Sequence, residues 1–229
     1  CTSDLLWKQF CVQKGLHLSN VSGGYRRFYI YNQIRVMIVG DDEVGKTNLV
    51  QALTNNPLYV IESYVSHQTA WPYHYHARTE DRQDYYIYFW DNNTCRSDCD
   101  EHVLKSVDVV ILCYATDDID SFRVAKKWVR HLKSIRHHSP DSKSIILAGL
   151  KLDCRENDIA TYEKPEVVST SNGQKLAKAS HIASFQEVCS ADKRGLSDLV
   201  NEIVRLKRVM FDQRLEGRAI SSPTSPRSR

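Results

Sequence analysis

The chain has 229 residues, of which 41% are hydrophobic, 26% charged and 10% aromatic, enough for one packed domain plus additional segments. Nine glycines and six prolines exclude collagen-like and proline-rich low-complexity classes, and no apolar run approaches the ~20 residues of a membrane-spanning helix. Seven cysteines, an odd number spread among long spacers, point to reduced thiols and a cytoplasmic setting rather than a disulfide framework, and the first residues show no secretory pattern. The net charge of +3 is unevenly spread: Arg205 to Arg229 holds seven basic and two acidic residues, so the rest of the chain is slightly acidic. A basic end on such a body predicts contact with an anionic membrane surface or an acidic partner.

In chain order, residues 1–33 read as an extension, with Ser3 capping a short helix that carries Leu6 and Phe10, and a break at Gly23-Gly24. Ile34 to Val39 is a buried strand, Thr47 to Leu53 a helix, and Tyr85 to Trp90 and Val107 to Tyr114 are strands. Ser121 to Ile135 is an amphipathic helix and Ser144 to Ala148 a buried strand. Gly173 to Ala179 is a helix, Phe185 to Cys189 a strand, and Leu196 to Met210 a long helix. Strands alternating with helices predict a mostly parallel sheet with helices on both faces. Residues 34–211 are therefore expected to form one domain. A basic, Ser/Pro-rich tail over 212–229 should follow, irregular from Gly217 onward.

Gly40-Asp41-Asp42-Glu43-Val44-Gly45-Lys46-Thr47 is a complete G-x-x-x-x-G-K-T, directly after a strand and directly before a helix. In this context the main-chain N–H groups of Gly40 through Gly45, Asp42, Glu43 and Val44 included, wrap a phosphate. The helix start, with Asn48 in its first turn, adds partial positive charge, Lys46 neutralises the β- and γ-phosphates, and Thr47 offers its hydroxyl to Mg²⁺. The fold class implied is an α/β sheet of the P-loop nucleotide-binding type. Asp42 and Glu43 place two carboxylates beside a polyanion, which lowers the expected affinity. Asp91, at the end of a strand, is placed to hold Mg²⁺ through water. Lys151-Leu152-Asp153, after the strand ending near Gly149, is placed to read a base; an aspartate accepts both N1–H and N2–H of guanine, a donor pair that adenine lacks.

At these residues the chain resembles the Ras superfamily of small GTPases, and within it the Rho family, Rac-like members especially, over about residues 34–211. The resemblance is carried by Arg136-His137-His138-Ser139-Pro140, by Ile145 to Gly149 with Lys151-Leu152-Asp153-Cys154-Arg155, by Lys127-Trp128, and by Val188-Cys189-Ser190-Ala191-Asp192-Lys193-Arg194-Gly195-Leu196. It implies that Ser190, Ala191 and Asp192 form a second base-contacting loop, that GTP or GDP with Mg²⁺ is bound, and that Thr69 is the Mg²⁺-binding threonine of the first switch, with Ser66 as the competing candidate. It implies effector and exchange-factor proteins as partners, a monomer, and no nucleic acid. The 20-residue step from Asp153 to Gly173 is shorter than a full Rho-type insert.

The departures from the family are as informative. Asp91 is followed by Asn92-Asn93-Thr94-Cys95 where the family has Thr-Ala-Gly-Gln, so Cys95 stands in place of the glutamine that orients water and Thr94 in place of the pivot glycine. Asp42 stands where the family has Gly, and Leu150 replaces a polar residue of the base loop. Slow hydrolysis is the expected result, the altered catalytic positions being Asp42 and Cys95; the alternative is a nucleotide-independent scaffold. The chain ends in Pro226-Arg227-Ser228-Arg229 rather than a prenylation box, so electrostatics are expected to supply membrane contact.

Cys95, Cys99 and His102, with His74 and His76 nearby, have an imperfect spacing for zinc, and free thiols with solvated histidines are preferred. Trp71, Tyr73, Tyr75, Tyr85, Tyr86, Tyr88 and Trp90 fall on a hairpin, where alternate residues face the core and the rest offer a partner-binding surface.

Overall fold

A computed structural model describes residues 2–13, 24–54, 73–80, 83–91, 104, 106–136, 144–157 and 167–220. Among the described residues there are six strands: β1 (Gln33–Gly40), β2 (Tyr73–Arg78), β3 (Asp84–Asp91), β4 (Val109–Ala115), β5 (Ile145–Leu150) and β6 (Ser184–Glu187). They lie in the order β2-β3-β1-β4-β5-β6, with only β2 antiparallel to its neighbour. The mostly parallel α/β sheet expected from the sequence is what forms.

The period of two along β1 divides the core. Val36 and Ile38 face α3 (Lys46–Thr54) and the C-terminal helix, packing with Leu49, Leu53, Leu199, Ile203 and Val204. Met37 and Val39 face α4 (Ile119–Arg136), packing with Phe122, Trp128 and Leu132. Two short helices, α5 (Leu152–Asn157) and α6 (Thr170–Ala179), flank β5 and β6. Ser169 caps α6 by accepting the Asn172 N–H at 3.3 Å. Along β3, Tyr85, Ile87 and Phe89 are fully buried while Tyr86, Tyr88 and Trp90 are half-buried on the opposite face, the alternation expected of a hairpin strand.

Two features go beyond the sequence reading. Before β1 the expected short helix forms as α1 (Thr2–Gln13), with Ser3 inside it rather than capping it, and a second, unexpected helix follows as α2 (Tyr25–Asn32). They are joined by the Asp4 carboxylate accepting the Tyr25 N–H at 2.9 Å and by a Trp7–Tyr29 ring contact. Helix α2 docks on the body through Tyr31, whose ring lies 4.4 Å from that of Phe211 and 5.8 Å from that of Tyr85. The C-terminal helix α7 (Leu196–Ile220) runs past Gly217, where irregular chain was expected. One internal glycine costs only about 1 kcal/mol, and the first strong breaker is Pro223.

Candidate functional site

The chain leaves the carboxyl end of β1 in a turn that only special backbone conformations allow. Gly40 has φ +152°, and a Cβ there would run into the Cys113 carbonyl of β4. Glu43 and Gly45 both have positive φ, at 59° and 101°. Alternating conformations of this kind turn successive N–H groups toward one side, the geometry of an anion-binding nest. Val44 is buried and anchors the loop, whereas Asp42, Glu43 and Asn48 are exposed.

Lys46 is buried in the first turn of α3. Its ammonium donates to Gly40 O at 3.3 Å and Asp41 O at 2.6 Å. Carbonyls carry only partial charge, so they orient the cation without neutralising it. The Thr47 hydroxyl donates to Asp91 Oδ2 at 2.7 Å, joining the start of α3 to the end of β3. Burial raises the Asp91 carboxyl above its ordinary value, partly opposed by the Thr47 hydrogen bond and by Lys46. The neighbouring Cys113 thiol is wholly buried and pushed up to about 12, so it is inert as a nucleophile at neutral pH.

The loops that the sequence reading assigns to a base lie beyond the carboxyl ends of β5 and β6. Lys151 turns at φ 60°, its carbonyl held at 2.9 Å by the Thr116 hydroxyl. Its side-chain Cγ lies 4.0 Å from where a Cβ on Gly45 would stand, so this lysine runs along the phosphate loop. Asp153 is half-buried and accepts from the Cys189 thiol at 3.2 Å and, more weakly, from Cys154 at 3.9 Å. Ser190 is half-buried, while Ala191 and Asp192 are exposed in the turn after β6. The main-chain N–H of Arg194 bonds the Asp192 carboxylate and holds it down to about 2. Arg155 and Glu187 form a bidentate, largely buried pair at 2.5 and 3.0 Å that fixes α5 against β6.

The structure thus brings Gly40, Lys46, Thr47, Asp91, Lys151, Asp153 and the 190–192 turn to one edge of the sheet. This is the edge at the carboxyl ends of the strands, where open α/β sheets bind ligands. Thr69, Ser66, Thr94 and Cys95 lie outside the described residues, as do Cys99, His102, Trp71, His137 and His138. The exposed His76 is not simply solvated: its Nε2 lies 2.9 Å from the buried Asp84 carboxylate and its ring stacks on Tyr86. Sequence reasoning missed the Cys189–Asp153 bond and the Arg194 contacts, which local spacing does not signal.

The basic C-terminal stretch is also less available than its composition suggests. Arg205 pairs with Glu202, the buried Lys207 donates to Asp108 at 2.9 Å, and Arg208 reaches the Tyr85 hydroxyl and Thr79. Among the described residues no helix is long and apolar enough to cross a membrane.

A sequence model of the Ras family matches residues 35–208. The Ras-like GTP-binding protein RhoL of Drosophila melanogaster is 30% identical over 177 residues, spanning 75% of this chain and 85% of RhoL. Two Rho-related proteins of Dictyostelium discoideum also match. The first, racE, is 27% identical over 83% of this chain and 85% of its own length; the second, racM, is 26% identical over 76% and 89%. On this match and these relatives the chain belongs to the Ras family, on its Rho- and Rac-related side.

Proposed function

We propose that the chain is a guanine-nucleotide-binding switch of Rho type, with residues 34–211 as its nucleotide domain. The observation that carries this reading is the buried Lys46 ammonium, oriented by carbonyls at the mouth of a loop with three positive-φ residues. Such a cation is a poor structural element by itself, since burial costs it several kcal/mol, and it is well suited to a polyphosphate. Lys46 and the N–H groups of residues 40–48 would hold the phosphates; Lys151, Asp153 and the Ala191 main chain, flanked by Ser190 and Asp192, would hold the base.

The donor set at Thr47 and Asp91 fits Mg²⁺: one hydroxyl and one carboxylate, oxygen ligands already 2.7 Å apart. Thr47 would bind directly and Asp91 through water, with Thr69 completing the set in the triphosphate state. When bound, the ion supplies neutralisation of charge on the β- and γ-phosphates. Slow hydrolysis follows from the residues around the attacking water. A Cys95 thiol donates to and accepts from it only weakly where an amide does both well, Thr94 stiffens the pivot, and Asp42 adds bulk and negative charge where an incoming arginine would sit.

Family membership supports effector and regulator proteins as partners, and the outward aromatics of β3, Tyr86, Tyr88 and Trp90, are the surface we assign to them. For contact with an anionic membrane the sequence offers Arg214, Arg218, Arg227 and Arg229 beside the three basic residues that make the contacts above. At ~1 kcal/mol each near such a surface they give weak, salt-sensitive adsorption.

The decisive experiment is chromatography of nucleotide released from gently purified protein. Stoichiometric GDP or GTP is the expected result, and an empty site that also fails to saturate with labelled GTP and Mg²⁺ would overturn the reading. Single-turnover measurement then tests the kinetic part: hydrolysis should be slow and should accelerate in the combined variant Asp42→Gly with Cys95→Gln.

A further inference from the structure

Pairing between β5 and β6 ends at Gly149 and Glu187, with one further main-chain bond from Val188 N to Gly149 O at 2.8 Å. Beyond that point the two loops leave the sheet, and among the described residues side-chain contacts connect them. Arg194 makes the largest connection. Its two terminal nitrogens bind Glu156 of α5 at 2.9 and 2.8 Å, and its Nε binds Asp192 at 2.6 Å, so the whole guanidinium edge is used. Its own N–H donates to Asp192 at 3.0 Å, and its carbonyl accepts from the Cys189 N–H at 3.0 Å. Cys189 in turn donates its thiol to Asp153 Oδ1 at 3.2 Å, and Asp153 lies on the same short helix as Glu156.

These contacts close a ring that runs from Arg194 to Glu156, along α5 to Asp153, across to Cys189 and back to Arg194. We infer that Arg194 is a positioning residue for base recognition: it sets the spacing between the Asp153 carboxylate and the Ala191 main chain, the two groups a guanine edge must meet at once. The inference rests on the guanine-nucleotide reading above and deepens it.

Charge makes the same point. Without Arg194, Glu156, Asp192 and Asp153 leave three carboxylates at the base end with no cation from this network, and their mutual repulsion would spread the loops. Hydrogen bonding with both partners raises the arginine above its ordinary value, so it stays charged at any working pH. A lysine could not substitute, because one ammonium cannot make the planar fork to Glu156 and also reach Asp192.

The test compares release of GDP and of inosine diphosphate, which lacks the exocyclic amine that Asp153 reads, from the full chain and from Arg194→Ala and Glu156→Gln. Both side chains of the pair are about half exposed, which limits the effect. GDP release should quicken about three- to tenfold in each variant, and discrimination against inosine diphosphate should fall by a similar factor. The double variant should be no faster than the single ones, and 1 M salt should quicken the unmodified chain but not the variants. Unchanged GDP release in both variants overturns the inference alone. So does equal quickening for both nucleotides accompanied by a lower melting temperature, because that marks general loosening. An unmodified chain that holds neither nucleotide overturns the guanine reading, and this inference with it.

Discussion

The end of the site that we assign to phosphate is shaped by main chain, and the end that we assign to the base by side chains. Gly40, Glu43 and Gly45 sit at positive φ and fix the loop around one buried cation. The base loops owe their placement to Arg155–Glu187, Arg194–Glu156 and Cys189–Asp153. A main-chain device is intolerant at a few positions and indifferent elsewhere. A side-chain ring degrades by degrees, each link carrying a fraction of the whole.

That contrast can be broken most sharply at Gly40. Gly40→Ala should cost about 3 kcal/mol or more in a denaturant titration, because the methyl group meets the Cys113 carbonyl at a backbone angle that suits glycine. A loss under 1 kcal/mol would show that the loop bends as readily as the base end. Lys46→Ala should leave a folded protein whose affinity for labelled GTP falls about 100-fold, ~2.7 kcal/mol, since charge-assisted contacts to phosphate disappear. Arg155→Met probes the other end: it strands Glu187 in a largely buried setting and should lower stability by about 2 kcal/mol with a smaller change in affinity.

Asp91→Asn gives the smallest stability effect and a telling sign. Burial raises the folded carboxyl above its unfolded value of 3.8, so the ionised form opposes folding. That penalty is absent below the unfolded pKa, grows between the two values and is complete above the raised one. The asparagine variant should therefore melt a few degrees higher than the parent at pH 7 in nucleotide-free form, with the gap closing as pH falls toward 4, while Mg²⁺-dependent GTP affinity drops. A lower melting temperature at pH 7 would mean that the Thr47–Asp91 bond is worth more than the desolvation of the charge.

Much of this arrangement was legible in the sequence because its signals are contiguous. The phosphate loop is eight consecutive residues between an apolar run and a helix, and Asp91 and Asp153 each follow a recognisable buried strand. The docking of α2 was not legible: Tyr31 and Phe211 are 180 positions apart, and no periodicity connects them. Lys207 read as part of a basic tail because its partner Asp108 lies 99 positions away. The end of α7 was misplaced because Gly217 looks like a stop signal, although the flanking residues Leu215, Glu216 and Arg218 favour helix. The Arg194 ring escaped notice since its two closing links, Arg194–Glu156 and Cys189–Asp153, span thirty-eight and thirty-six residues, from the turn after β6 back to α5.

Asp108 has a consequence for assembly of the chain. Its buried carboxylate accepts the Arg35 N–H at 2.8 Å and the Lys207 ammonium at 2.9 Å, linking the first strand, the entry to β4 and the last helix. A final helix docked one turn out would remove the buried Lys207 ammonium and leave this carboxylate with only the half-exposed Arg35 side chain, 3.4 Å away, as a cation. The triad thus favours the one alignment in which the first strand, the entry to β4 and the last helix meet at a single carboxylate.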